Sequence, residues 1–275
     1  MTVLELRSLS VHNGKTVIDN GNLNLYPGQV TGLLGPNGSG KTTLLRAVCG
    51  VLPYTGKILW NGEDLARLGV RGRARVVTAM TQEPPEGAGI TVSEYCSFGM
   101  YAADRMFSGF SRIPQKTEAR LRALAAHFDM TALLSKDLSR MSVGERQMAS
   151  LLRVALQDTP VVLFDEPTGA LDPSNAGRVL AYLRECAEAG KTVLCVLHDP
   201  AAALTVCDTL VLLQNGTLSE PFPCADAQPE TAEKFLSALA PGMRVGRTGA
   251  DGKSGFWYCC RDPFYRDETE RTEKP

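Results

Sequence analysis

The sequence predicts an α/β fold around a largely parallel sheet, and three observations carry that reading. Short apolar runs alternate with stretches whose apolar residues recur at helical spacing, the pattern of strand–helix–strand units. The glycine-rich octapeptide Gly35-Pro36-Asn37-Gly38-Ser39-Gly40-Lys41-Thr42 lies between such a run, residues 30–34, and such a stretch, residues 43–49. The apolar residues 161–164 end in Asp165-Glu166, as a strand buried on both faces does when it delivers polar groups at its C-terminal end.

In chain order, residues 3–11 alternate enough for an edge strand, Asn13-Gly14 signals a turn, and Val17-Ile18 resumes the apolar pattern. Pro27-Gly28 closes this stretch before the strand at 30–34. Gly50 stops the helix at 43–49, and Pro53 breaks the chain. Residues 57–60 read as a strand, Asn61-Gly62 as a tight turn, and 76–80 as another strand with Gln82 close behind. From 83 to 140 the composition changes. Pro84, Pro85, Gly87 and Gly89 make a flexible loop, and Thr91-Val92-Ser93-Glu94 is a capping box. Residues 108–114 are rich in turn formers, and 118–128 carry Leu121, Leu124, Ala125 and Phe128 at helical spacing. This block reads as a helical insertion between two strands of the core.

Ser142-Val143-Gly144-Glu145 is a second capping box, opening a helix that runs to Gln157. After the strand at 161–164, a helix at 174–189 is stopped by Gly190, and a strand at 192–197 ends at His198-Asp199. Residues 210–213 with Asn215-Gly216 read as a terminal hairpin. Beyond 220 the patterning weakens: 230–239 suits a helix, 256–258 a strand, and 267–275 is charged and expected to fray. The expected division is a domain over 1–220, with its helical part at about 83–157, and a partly irregular extension over 221–275.

The glycine-rich loop has a definite chemistry. Gly35, Gly38 and Gly40 let the backbone bend and turn its N–H groups inward, and the following helix N-terminus adds partial positive charge. In such a loop Lys41 reaches the β- and γ-phosphates of a nucleotide, the Thr42 hydroxyl ligates Mg²⁺, and Thr43 adds a hydroxyl on the α-phosphate side. The strand order of such folds brings Asp165 and Glu166 to the same crevice, where Asp165 can hold Mg²⁺ through water and Glu166 can polarise an attacking water. His198 leaves a neighbouring strand end and can contact the γ-phosphate.

Composition limits the alternatives. The 275 residues are 44% hydrophobic and 21% charged, ordinary for a globular chain. The net charge of −1 provides no basic excess for a nucleic-acid partner. Residues 1–10 lack the basic start and apolar core of a signal peptide, and no apolar run approaches the ~18 residues of a membrane span. The expectation is a cytosolic protein unless a partner holds it at a membrane. The eight cysteines form no C-x-x-C pair, and most lie in apolar segments, so buried reduced thiols are expected. Cys259-Cys260 is the one unusual pair, with no His or Cys cluster close in sequence to make it a metal site.

Taken together, these residues resemble the nucleotide-binding subunit of an ATP-binding cassette (ABC) transporter, over residues 4–219. Residues 35–42 resemble its Walker A motif and Gln82 its Q-loop glutamine. Met141-Ser142-Val143-Gly144-Glu145 resembles the signature motif, and residues 161–166 Walker B with its catalytic glutamate. Ala170-Leu171-Asp172 resembles the D-loop and His198 the H-loop histidine. The resemblance implies a P-loop core of ABC type with an antiparallel β subdomain and an inserted helical subdomain. It implies an ATPase with catalytic Glu166, His198 and Gln82 and with Mg²⁺ at Thr42, Gln82 and Asp165. Nucleotide would be bound by residues 35–43 and, across a homodimer or pseudo-dimer, by Ser142, Gly144, Glu145 and Asp172. It implies a permease partner, through it an extracytoplasmic substrate-binding protein, and a place on the inner face of the cell membrane. A narrower similarity, over Thr78-Ala79-Met80-Thr81-Gln82-Glu83, Thr91-Val92-Ser93-Glu94-Tyr95 and Phe98-Gly99-Met100-Tyr101, is to ATPases that import iron-siderophores, haem and cobalamin. Three positions depart from the pattern: Met100 stands for an arginine, Val143 for a signature glycine, and Asn13, beside His12, for an aromatic that stacks on adenine. The alternative is a soluble ABC ATPase of a cytosolic machine such as iron–sulphur cluster assembly. A binding-only regulatory subunit is disfavoured by intact Lys41, Asp165, Glu166 and His198.

Overall fold

A computed structural model describes residues 3–82, 89–102, 114–248 and 257–261. The loop positions Pro84, Pro85 and Gly87, most of the turn-rich 108–114 stretch, Phe256, the 267–275 tail and the Asn13 side chain lie outside it.

Strands β1 (Leu4–Asn13) and β2 (Lys15–Leu25) pair antiparallel across Gly14. Strand β3 (Gln29–Leu34) and helix α1 (Lys41–Val48) flank the glycine-rich loop. Strands β4 (Tyr54–Trp60) and β5 (Glu63–Asp64) turn at Asn61-Gly62, where both residues have positive φ, as a two-residue hairpin turn demands. The first four antiparallel strands stand in the order β2-β1-β4-β5. The expected edge position of β1 is therefore wrong: it pairs with β2 on one side and β4 on the other. Alternation tells which face is buried and says nothing about neighbours.

Helix α2 (Gly69–Ala74) leads to β6 (Val77–Met80). Then follow helices α3 (Val92–Ser97), α4 (Gln115–His127) and α5 (Val143–Gln157), before the chain re-enters the sheet at β7 (Val161–Asp165). Both expected capping boxes are present, Thr91 with Glu94 and Ser142 with Glu145. Helix α6 (Pro173–Glu188), β8 (Thr192–Val196), α7 (Pro200–Val206), β9 (Thr209–Gln214) and β10 (Thr217–Leu218) complete the core. The second sheet runs β10-β9-β3-β8-β7-β6, with β3, β6, β7, β8 and β9 mutually parallel.

Both faces of the parallel sheet are covered, as a parallel sheet requires. Val161 and Leu163 of β7 face α1 and the antiparallel sheet, while Val162 and Phe164 face the layer of α5, α6 and α7. The helical insertion is anchored through Phe128, whose ring meets Tyr182 of α6 edge-on at 5.2 Å. After the core come β11 (Phe222–Pro223) against β9, helix α8 (Pro229–Leu236), and the antiparallel pair β12 (Met243–Arg247) and β13 (Trp257–Arg261). Among the described residues the extension holds the expected helix and strand, and β11 and β12 besides.

Candidate active site

The parallel register brings the chemistry together. The C-terminal ends of β3, β6, β7 and β8 lead into Gly35, Gln82, Asp165-Glu166 and His198, all along one edge of the sheet. The glycines of the loop are needed at two points. A Cβ on Gly35 would lie 2.3 Å from the Leu213 carbonyl oxygen. Gly40 has φ 106° and sits where a Cβ would strike Val17 Cγ1 at 2.3 Å. Gly40 also occupies the N-cap position of α1 and brings no side chain to it, so the first N–H groups of that helix face the loop uncapped.

Lys41 is buried, and its Nζ donates to the carbonyls of Gly35 at 2.8 Å and Pro36 at 3.0 Å. Burial lowers the Lys41 pKa, and the negative charges of Glu166 and Asp165 oppose that shift. The hydroxyl of Ser39 is buried in the loop without a hydrogen-bond partner, as a donor awaiting an acceptor would be. A cleft of about 390 Å³ runs along Asn37, Gly38, Lys41, Thr43, Gln82 and Glu166.

Asp165 is 4% exposed, Thr42 hydrogen-bonds its carboxylate, and its Oδ1 has no partner. Burial pushes the carboxyl above its usual range and Glu166 pushes it the same way, against Thr42, Arg46 and Lys41. A buried carboxylate with an orphaned oxygen beside a threonine hydroxyl is a donor set that suits a small, hard divalent cation.

Glu166 has φ 51°, a left-handed backbone that is uncommon for a non-glycine residue and gathers at functional sites. Its carboxylate is gripped from two directions. Gln82 Nε2 donates to Oε2 at 2.6 Å, and His198 Nε2 meets Oε1 at 2.5 Å. The side chain of His198 is 48% exposed and that of Glu166 14%, so the pair opens to the cleft.

The remaining candidates stand in a second place. Ser142, Gly144, Glu145 and Asp172 line a separate cleft of about 550 Å³. Ser142 caps α5 and Asp172 caps α6, accepting from the Ser174 and Asn175 N–H groups at 2.9 and 3.1 Å. A Cβ on Gly144 would come 3.1 Å from the Ala170 carbonyl, which fixes how closely these two segments pack. Val143 opens α5 with helical backbone and is 48% exposed at the mouth of this cleft. Met100 packs against the core, and His12 is exposed at the end of β1.

Residues 18–169 match the family described as ABC transporter. The chain belongs to the ABC transporter family. Residues 35–42, Gln82 and Asp165-Glu166 thus stand along one edge of the sheet, and Ser142, Gly144, Glu145 and Asp172 line another cleft, with Val143 lining both that cleft and one beside Thr42 and Gln82. ABC transporter ATP-binding proteins are ATPases, and this chain is one of them. It is 34% identical over 271 residues to the achromobactin transport ATP-binding protein of Dickeya dadantii, covering 96% of this chain and 93% of that one. It is 37% identical over 221 residues to the hemin import ATP-binding protein of Pseudomonas aeruginosa, covering 78% and 84%. A solved ATP-binding subunit of an ABC transporter superposes with a TM-score of 0.72 at 25% identity, covering 86% and 95%. Among the described residues no helix is long and apolar enough to cross a membrane.

Sequence reading missed Val17, which walls the phosphate cleft from β2, and Arg46 and Arg146, which with Val143 line a larger cleft of about 700 Å³ beside Gln82. Only the fold brings Val17 to the site, whereas Arg46 and Arg146 each lie one helical turn past Thr42 and Ser142.

Proposed function

We propose that this chain is the ATP-hydrolysing subunit of an importer for an iron-siderophore, haem or cobalamin-type metal chelate. The observation that carries the reading is the grip of Gln82 and His198 on Glu166, next to Asp165 and in the cleft that Lys41 and Thr42 also line. The relatives named for achromobactin transport and hemin import support the chelate class and favour import over a soluble cytosolic machine.

In this reading Lys41, the Ser39 hydroxyl and the uncapped N–H groups of the loop and α1 hold the β- and γ-phosphates of ATP. Thr42, Gln82 and Asp165 would hold Mg²⁺, Asp165 through a water; bound there, the ion neutralises charge on the phosphate oxygens. Glu166 orients and polarises the attacking water, while His198 fixes that carboxylate and reaches the γ-phosphate. Catalysis is chiefly positioning and charge stabilisation. The cleft with Ser142, Gly144, Glu145 and Asp172 serves the nucleotide of a second copy, so two chains close on two ATP. Closure drives a membrane permease, fed from outside the cytoplasm by a substrate-binding protein, and the chain sits on the inner face of the membrane. Nucleic acid has no part in it.

The test is to purify the chain with whatever permease accompanies it and measure ATP-dependent uptake of ferric siderophore and haem in vesicles. Uptake that fails with Lys41→Ala, together with loss of ATP binding by calorimetry, is the expected result. An unchanged ATP affinity in Lys41→Ala would remove the proposed site. Co-purification with soluble assembly proteins and no permease would overturn import.

A further inference from the structure

The C-terminal unit meets the turn that carries His198. Strands β12 and β13 pair from Met243↔Arg261 to Arg247↔Trp257. Val245 and Trp257 are buried in the same core cluster as Leu197, Ala203 and Leu204, the residues that carry the chain through His198 into α7. Several contacts fix this unit. Glu233 of α8 accepts from Arg244 Nη1 at 2.9 Å and from the Val245 N–H at 3.2 Å. Gln214, at the end of β9, donates to the Ala238 carbonyl at 2.7 Å. The Arg247 guanidinium lies 4.9 Å from the Trp257 ring centre. Strand β13 packs on α7, and Cys259 lies near Asp199, the residue after His198; burial, then that carboxylate, push its thiol up to about 11.

This anchoring sets Leu239, Ala240 and Met243 over a small cavity of about 220 Å³ whose other wall is Gly35, Pro36 and His198. His198 is half exposed and is held through Nε2 by Glu166. The turn that carries it is backed by the C-terminal unit. A catalytic group on a turn needs such backing, since a displacement of about 1 Å at a reacting centre can cost up to about a hundredfold in rate.

We infer that the C-terminal unit braces the His198 turn and that Met243 is a positioning residue, acting through His198 on the hydrolysis proposed above. The inference rests on that reading of the site. Met has the length and the polarisable, adaptable shape to wall an irregular opening of this kind. Loss of its side chain widens the cavity and lets the turn shift, so Glu166 and His198 lose register while the phosphate loop keeps its grip on nucleotide.

The experiment compares Met243→Ala with Met243→Leu in the full chain. Two readouts are taken: steady-state ATP hydrolysis, and the imidazole resonances of the protein. The sequence has only three histidines, His12, His127 and His198, so each signal can be assigned by substitution. In Met243→Ala, kcat is expected to fall about tenfold with KM for ATP within about twofold. The His198 resonance is expected to move while that of His127 stays, and Met243→Leu is expected to restore both. Glu233→Gln, which loosens the clamp on Arg244 and Val245, is expected to shift both readouts less and in the same direction, and it serves if Met243→Ala does not fold. A lowered melting temperature with unchanged kcat and an unmoved His198 signal would overturn the inference. A wild-type chain that hydrolyses no ATP would instead count against the ATPase reading, and the resonance test would still decide the brace.

Discussion

Asp165 is a buried carboxylate with an incomplete set of partners. Its carboxylate is buried with one oxygen unpartnered, and burial raises its pKa above the unfolded value. A group raised in this way favours the folded state when protonated, and that contribution is lost as pH rises through the folded pKa. At neutral pH the ionised Asp165 therefore costs stability in the nucleotide-free protein. Asp165→Asn is expected to raise the melting temperature of the free protein at pH 7. It is expected to abolish the further rise that Mg²⁺-ATP gives the wild type. Calorimetric melting with and without Mg²⁺-ATP checks both, and a free protein destabilised by the substitution would contradict the account of Asp165. Val143 illustrates the opposite case, a departure from the family pattern that the backbone absorbs. It sits at the first position of α5 in helical conformation, half exposed. Val143→Gly is expected to change steady-state ATPase by less than about tenfold, under ~1.4 kcal/mol in barrier. An enzyme a hundredfold faster would make Val143 a brake. Much of the candidate site could be read from the sequence, because Gly40, Lys41 and Thr42 are consecutive before and in α1 and Asp165 ends a strand. Val17 and Met243 were not legible, since their roles come from residues far away in the chain.

The elements are punctuated by local chemistry, and that is why most of them could be read. Thr91 and Ser142 cap α3 and α5 where their boxes indicate, and Asn61-Gly62 and Asn215-Gly216 turn with both φ values positive. Neighbours in a sheet are a different matter: nothing in residues 3–11 says that β1 has a partner on each side. Asp172, read from its motif as a nucleotide contact, also has a structural task as the N-cap of α6. Asp172→Ala is expected to cost about 1 kcal/mol of stability, while Asp172→Asn, an equally good cap, is expected to stay within a few tenths. Chemical denaturation of the two variants separates them, and equal stabilities would mean that the cap contributes little. The C-terminal elements were hardest to read. Strand β13 is five residues long, and its pairing with β12 buries Val245 and Trp257, which no alternation in so short a run announces.

In the whole molecule the candidate residues fall into two clefts, which the proposed function reads as two halves of a site. Lys41, Thr42, Asp165 and Glu166 stand at the C-terminal edge of the parallel sheet, and the cleft with Ser142 and Gly144 lies apart from them. A helix N-terminus at α5, exposed beside a tightly packed Gly144–Ala170 contact, is suited to a phosphate group brought by another copy. In the proposed function Glu166 acts on water in a site completed by a second chain. The most direct measurement is the mass of Glu166→Gln by size-exclusion chromatography with light scattering, with and without Mg²⁺-ATP, alongside its phosphate release. The glutamine keeps the shape of the side chain and removes the charge that polarises water. The expected result is a protomer without nucleotide, a stable species of twice that mass with Mg²⁺-ATP, and hydrolysis near background. A variant that stays a protomer with ATP bound, or that releases phosphate at a near-normal rate, would contradict it.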